Sequence, residues 1–340
     1  MSIKVLIVDD SATIRAILRH TLSSEPDIEV VGEAADPYEA REAMKVLNPD
    51  VLTLDIEMPR MNGIEFLGHI MRLRPTPVIM ISTLTEAGAD ATIEALSIGA
   101  IDYIAKPTSG AMVGAFDDLP DKVRIAAKSR LPGGASAQTT GPSTSKSYRA
   151  KDRLVAIGAS TGGVEALTQL VSALPAGAPP VVITQHMPAK FTTSFAQRLN
   201  GKSQVTVAEA RDGMPIEAGH VYLAPGGHQH LEIQGKTRPV CHLVDADPVN
   251  GHRPSVDVLF RSVKPLGPRA VAVLLTGMGN DGAAEIKNVR EAGGHTIGQD
   301  KSSCVVYGMS RVAAENGGIA QELPLQKIAP AILELCGAYY

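Results

Sequence analysis

Three stretches of the chain hold residue types suited to acyl transfer. "VAIGASTGG", Val155 to Gly163, begins as an apolar run and ends in small residues and glycines around Ser160. Gly158-Ala-Ser160-Thr-Gly162 satisfies the G-x-S-x-G pattern, in which a strained strand-to-helix turn exposes a serine. The same letters allow a phosphate-cradling loop, a dinucleotide loop or a plain tight turn. The first lacks its terminal Gly-Lys-Ser/Thr, and the second lacks three-glycine spacing and a strand-ending acid about 20 residues on. The tight turn stays open on these residues alone. Partners for a nucleophile exist: "PVVITQH" ends in His186, and "AVAVLLTGMGNDG" carries Asp281 in a glycine-rich loop. A serine, an imidazole and a carboxylate at neighbouring strand ends are the nucleophile, base and orienting acid of a hydrolase.

Other residues compete for these roles. Asp300, in "IGQDKSS", also follows a strand-like run and is the rival acid; glycines on both sides of Asp281 favour the latter. His228 and His230 in "GGHQH" would share a face if extended, but no third ligand follows. A groove-lining or surface role therefore outweighs metal binding. His220, His242, His252 and His295 form no constellation.

A second cluster is acidic and lies in the first third of the chain. Asp9 and Asp10 follow the first apolar run, Asp55 ends the third, Ser82 the fourth, and Lys106 with Pro107 lies beyond the fifth. Three converging carboxylates repel one another unless a hard divalent cation such as Mg²⁺ joins them. With a lysine and a hydroxyl beside it, Asp55 could accept a phosphoryl group, its charge neutralised by Mg²⁺ and Lys106 and its product bonded by Ser82. Such acids also cap helices, as "DDSATIR" suggests, but five suitable residues at matching strand ends favour the phosphoryl reading.

These residues have to be positioned by strands. "KVLIV", "IEVVGEA", "DVLTLD", "TPVIMIS" and "IDYIA" read as strands. "SATIRAILRHTL", "PYEAREAMKVL", "GIEFLGHIMRL", "TIEALSIG" and a last helix over about 119–129 alternate with them. After residue 149 the alternation resumes with "RLVAIG", "PVVITQH", "QVTVAEA", "AVAVLLTG" and "HTIGQD" as strands. Helical patterns cover "GVEALTQLVSAL", "FTTSFAQRL", "SVDVLFRSV", "GAAEIKNVREAG" and "CVVYGMSRVAAENG". "HVYLAPGGHQHLEIQ…VCHLV" reads as a small antiparallel hairpin, and "AYY" at the end belongs to no motif. The fold class is α/β, with two doubly wound parallel-sheet domains in which function gathers at strand C-termini. The first spans residues 1–130. Residues 131–149, rich in Gly, Ser, Thr and Pro, read as a flexible linker, and 150–340 form the second domain.

The bulk numbers exclude several classes. A hydrophobic share of 44% and a charged share of 20% are those of a soluble globular protein. A net charge of −4 and a pI near 6.1 argue against non-specific binding to nucleic acid or anionic membranes. Cys241, Cys304 and Cys336 are few and far apart, as expected of a reduced, cytoplasmic compartment. The N-terminal apolar run is too short for a signal peptide, and none reaches the ~18 residues of a membrane span.

The first domain resembles the receiver domain of two-component response regulators over about 4–127, through "LIVDDS", "LTLDIEMPRMNG", "VIMIS" and "DYIAKP". This implies a flavodoxin-like fold and Asp55 as phosphoacceptor. It also implies that Asp10, Asp55 and the Glu57 carbonyl hold Mg²⁺ with Asp9 in support, and that Ser82 and Tyr103 reorient on phosphorylation. Receiver, linker and a Rossmann-like domain with "IGASTGG", "QHMP", "HRPSVDVLF" and "TGMGNDG" together resemble the chemotaxis protein-glutamate methylesterases. That resemblance implies a Ser160–His186–Asp281 triad. It implies cytoplasmic chemoreceptor helices as substrate, a chemotaxis histidine kinase as phosphodonor, and glutamine deamidation as a second activity. Ester hydrolysis then needs no cofactor, and the backbone N–H groups of Thr161 and Met278 are candidates for an oxyanion hole. A monomer with no nucleic-acid partner and no membrane insertion is expected. The competing classes are a phosphorylation-controlled adaptor or transcription regulator whose second domain only binds, and a general carboxylesterase; for the first, no helix-turn-helix or basic recognition helix is visible and the charge balance is wrong for DNA.

Overall fold

A computed structural model describes residues 2–83, 85–106, 116–129 and 148–339. The chain divides into two compact units, residues 1–136 and 137–340. Of the segment expected to be a linker, residues 131–147 lie outside the described residues, as does Pro107.

The first unit alternates β1 (Ile3–Val8), α1 (Ala12–Ser23), β2 (Ile28–Ala34), α2 (Pro37–Leu47) and β3 (Val51–Asp55). It continues with α3 (Gly63–Leu73), β4 (Val78–Ser82), α4 (Glu86–Ile98), β5 (Asp102–Ala105) and α5 (Leu119–Lys128). All its strand pairs are parallel, in the order β2-β1-β3-β4-β5. Every residue of β3 and β4 is buried, as strands covered by helices on both faces must be. Side chains cap the helix starts: Ser11 for α1, Asp36 for α2, Asn62 for α3 and Thr85 for α4. The Thr85 cap opens α4 six residues before the "TIEALSIG" pattern, because "EAGAD" carries too little apolar periodicity to be seen. β1 lies between β2 and β3, so the chain's direction of winding reverses beside it; Asp9 follows β1 and Asp55 ends the neighbouring β3.

The second unit opens with β6 (Tyr148–Ala150), β7 (Leu154–Ala159), α6 (Gly163–Ser172), β8 (Val181–Gln185) and α7 (Ala189–Lys202). Next come β9 (Thr206–Glu209), β10 (His220–Leu223), β11 (Gln229–Gln234), β12 (Val240–Asp245) and α8 (Val256–Val263). A 3₁₀ turn at Lys264–Arg269 leads into β13 (Ala270–Leu274), α9 (Ala283–Glu291), β14 (His295–Gln299) and α10 (Met309–Glu315). β15 (Gln321–Leu323), α11 (Leu325–Cys336) and β16 (Gly337–Tyr339) complete the described chain. A seven-stranded parallel sheet runs β15-β14-β13-β7-β8-β10-β9. Around β7 the neighbours are therefore β13 on one side and β8 on the other, which is the switch point of this sheet.

Four expectations need correction. His220–Leu223 is not part of the hairpin: β10 pairs in parallel with β8 and β9, and only β11 and β12 form the antiparallel pair. α10 starts at Met309 rather than Cys304. Val306 is tied to the loop after β13 instead, its N–H donating to Thr276 Oγ1 (2.9 Å) and its carbonyl accepting from Gly277 N (3.1 Å). Tyr148 and Arg149, expected in the linker, pair with β16. The "AYY" end accordingly has a structural role: Tyr339 stacks edge-on to Tyr148 at 5.2 Å, and Tyr148 Oη donates to Leu333 O at 2.9 Å.

Close packing above β7 depends on missing side chains. A Cβ on Gly158 would lie 2.2 Å from Val256 Cγ1, so glycine lets the start of α8 approach the strand that leads to Ser160. Gly158→Ala is expected to lower the stability of the second unit by about 1–3 kcal/mol through overpacking, measured by denaturant unfolding; an unchanged midpoint would contradict this packing.

Candidate active site

Three adjacent strand ends build the site. The ladder continues past the strands: Ser160 N donates to Thr276 O (3.0 Å), and His186 N donates to Ala159 O (3.2 Å). Gly162, at φ +77°, makes the elbow into α6, and a Cβ there would meet Val305 at 2.6 Å. Ser160 and His186 are half-buried and so accessible; Asp281 is buried. Ser160 Oγ lies 3.1 Å from His186 Nδ1, and His186 Nε2 lies 2.8 Å from Asp281 Oδ2. With the carboxylate as acceptor, the ring proton sits on Nε2 and the Nδ1 lone pair faces the serine.

Asp281 is an anion held by many donors. Besides His186 it accepts from Asn250 Nδ2 (3.0 Å), Ser255 Oγ (2.8 Å), Val256 N (2.7 Å) and Asp257 N (3.2 Å). Burial would push its carboxyl up, but the bonds from His186, Asn250 and the Val256 N–H hold it well below the usual carboxylate range. The last two N–H groups belong to the first turn of α8, where the helix dipole also favours negative charge. Asp257 alongside is raised, by burial first and by the Asp281 charge second. Asp300, the rival acid, is occupied elsewhere: it accepts from Ser302 Oγ (2.7 Å) and from Ser303 N (3.0 Å) and Oγ (2.7 Å), capping its own turn.

The oxyanion candidates border the serine. Thr161 follows it in the chain, and Met278 lies one peptide beyond Gly277, where an added Cβ would come 2.7 Å from Ser160 Cβ. The histidine pair divides. His228 is exposed, with Arg253 Nη2 at 3.3 Å from its Nδ1. His230 is buried, accepting from Ser255 N at Nδ1 (3.1 Å), with Nε2 3.0 Å from Asp247 O. The expected shared face fails because His228 precedes β11, and the burial of His230 departs from the groove or surface role. Asn250 carried no expectation, and His252, expected to form no constellation, stacks its ring on that of His186. The Asn-Gly turn signal in "VNGHRPS" was the available clue.

The first unit brings Asp9, Asp10, Asp55 and Lys106 together. Carboxylate oxygens of the three acids lie within 4.8 Å of one another; Asp9 and Asp55 are buried and Asp10 is exposed. Lys106 Nζ is 3.0 Å from Asp9 Oδ2 and 2.8 Å from Asp55 Oδ2. Burial pushes Asp55 up to about 6, opposed by Lys106 and reinforced by Asp9. One ammonium among three carboxylates leaves the pocket short of positive charge, and an all-oxygen set of this kind fits a hard divalent cation. Glu57 N lies 3.4 Å from Asp55 Oδ1, so the backbone after β3 curls over the carboxylate. Ser82 is not turned to this cluster: its hydroxyl donates to Gly88 O (3.1 Å) and accepts from Thr92 Oγ1 (2.6 Å), both on α4. Tyr103, half-buried on β5, has Lys122 Nζ 6.0 Å from its ring centroid, and burial raises its phenol well above the usual value.

Fold and site together define a receiver module joined to an α/β unit with a serine-histidine-aspartate cluster at its switch point. Residues 5–115 match the response regulator receiver domain family, and 155–332 match the CheB methylesterase family. The chain belongs to the CheB methylesterase family, in its receiver-bearing form. A Rhizobium johnstonii protein named protein-glutamate methylesterase/protein-glutamine glutaminase 1 is 54% identical over 337 residues, 98% of this chain and 97% of its own. A Caulobacter vibrioides protein of the same name is 52% identical over 339 residues, 99% of this chain and 98% of its own. The crystal structure of the Thermotoga maritima CheB methylesterase catalytic domain is similar at TM-score 0.52 and 39% identity, covering 54% of this chain and 98% of that one. Among the described residues no helix is long and apolar enough to cross a membrane.

Asp281→Asn is expected to lower esterase turnover by roughly 10²–10⁴-fold, since the carboxylate sets the imidazole tautomer. Asp300→Asn should change turnover little. Equal losses in the two variants would remove Asp281 from the site.

Proposed function

We propose that this chain is a phosphorylation-activated serine hydrolase that demethylates γ-glutamyl methyl esters on chemoreceptor helices and deamidates receptor glutamines during chemotactic adaptation in the cytoplasm. The observation that carries the reading is the Ser160–His186–Asp281 chain at 3.1 and 2.8 Å. His186 Nδ1 takes the Ser160 proton as Oγ attacks the ester carbonyl, while Asp281 keeps Nε2 protonated and stabilises the cation. Backbone N–H groups of Thr161 and Met278 would receive the developing oxyanion. The Nδ1 proton then goes to the departing methoxide, releasing methanol and leaving an acyl-serine. Water gives a proton to Nδ1 as it attacks the acyl carbonyl, and collapse of the intermediate breaks the bond to Ser160 Oγ, which takes the Nδ1 proton back as glutamate is freed. An amide follows the same path with ammonia as leaving group. His186 carries every proton transfer and backbone N–H groups receive the oxyanion, so the hydrolysis calls for no cofactor. The names of the relatives support this substrate class.

In the receiver, the Asp55 carboxylate would take the phosphoryl group from a chemotaxis histidine kinase. Asp10, Asp55 and the Glu57 carbonyl, supported by Asp9, would hold Mg²⁺, which supplies positive charge against the phosphoryl oxygens. Lys106 adds a second cation from the other side. Breaking the Ser82–α4 hydrogen bonds and turning Tyr103 is the rearrangement that phosphorylation would drive.

Ser160→Ala is expected to lower methanol release from methylated receptor membranes by several orders of magnitude, because triad members act as a unit. Retention of a tenth of the rate would sink the nucleophile assignment. A small phosphodonor with Mg²⁺ should raise the rate of the full-length protein by about 5–150-fold, the range of a ~1–3 kcal/mol coupling. Asp55→Asn should not respond; a rate in the parent protein indifferent to phosphodonor would contradict activation.

A further inference from the structure

One tight turn reaches two members of the cluster at once. Val249 and His252 exchange backbone hydrogen bonds (3.1 and 3.0 Å), and Asn250 and Gly251 between them have φ of 53° and 77°. Asn-Gly is the pair that takes two successive left-handed positions at least cost. From this turn Asn250 Nδ2 donates to Asp281 Oδ1 (3.0 Å) and to Asp257 Oδ2 (2.6 Å). His252 lays its ring flat on His186, with centroids 3.6 Å apart and planes 11° from parallel. The turn is itself anchored. Arg253 donates from Nε to Gly227 O (2.9 Å) and from Nη1 to Ala246 O (2.8 Å), and buried His230 bridges Ser255 and Asp247.

The two edge contacts of His186 leave one motion open. Torsion about the bond to an imidazole ring is broad, so the ring can tilt out of the plane of its partners. Hydrogen bonds at Nδ1 and Nε2 resist sliding in the plane better than tilting. A second ring at stacking distance opposes tilt by contact over the whole face, and it keeps water from that face. We propose that His252 is a positioning residue that holds the His186 ring in the line from Ser160 Oγ to Asp281 Oδ2, while Asn250 from the same turn holds the carboxylate. This rests on the reading of His186 as the general base. The ring must keep this line while it passes from base to cation and back, with Nδ1 serving first Ser160 and then the leaving group.

The test uses the full-length protein and initial rates of methanol release at varied concentrations of methylated receptor. His252→Ala is expected to lower kcat by roughly 10–100-fold, as a small misplacement of a reacting group does, with KM changed by no more than about twofold. His252→Phe keeps a flat ring at the same place and should recover kcat to within about threefold of the parent. Thermal unfolding of each variant separates positioning from folding, because a purely structural role would lower the unfolding temperature and the rate together. The inference falls if His252→Ala turns over within about threefold of the parent. It falls equally if His252→Phe is as slow as the alanine variant, or if the losses follow the unfolding temperature. Ser160→Ala, assayed beside them, keeps the two claims apart. An active Ser160→Ala overturns the catalytic reading and this inference with it. An inactive Ser160→Ala with a fully active His252→Ala overturns this inference alone.

Discussion

The buried charge of Asp281 is the constraint around which the second unit is arranged. A carboxylate removed from water is costly unless every lone pair finds a donor. Here the donors come from four places: the histidine after β8, the Asn-Gly turn, the Ser255 cap, and the first N–H groups of α8. Each donor offsets part of the cost of burying the anion, and the anion in return fixes the tautomer that leaves the Nδ1 lone pair facing Ser160. Gly158 belongs to the same constraint, since only a residue without Cβ lets α8 present its N-terminus at this depth.

The receiver pocket solves the opposite problem. Asp9 and Asp55 are as buried as Asp281, yet they share a single ammonium, and Asp55 is raised to about 6 where Asp281 is depressed. A carboxylate that must stay an orienting anion is saturated with donors. Asp55 and Asp9 are short of donors, which leaves negative charge for an added cation to neutralise. The contrast follows from hydrogen-bond supply, because burial by itself pushes both groups the same way.

How far these sites could be read in advance depended on the range of the interactions. That Ser160, His186 and Asp281 lie together, and that the acidic set does, is legible because a parallel sheet gathers its strand ends at one edge, and strands show as local apolar runs. The place of β10 is not legible in the sequence, because "HVYL" looks the same whether it pairs with its neighbour in sequence or with β8 across a crossover. Val306 lies in a bend rather than in the expected helix because its N–H and carbonyl are bound to the loop after β13, some 30 positions away in the chain. The roles of Asn250 and His252 are not legible in the sequence because nothing in "VNGHRPS" tells which histidine its own histidine faces.

By itself the amino-acid sequence determined the α/β class, the order of strands and helices, and the short list of residues able to do the chemistry. Those properties follow from backbone propensity and apolar periodicity within a few residues. Tertiary structure alone decided that Asp281 and not Asp300 meets the imidazole, that Nδ1 and not Nε2 faces the serine, and that Ser82 bonds to α4. These are choices among side chains of equal chemistry. They turn on distances of about an ångström between segments far apart in the chain, which only the packed fold sets.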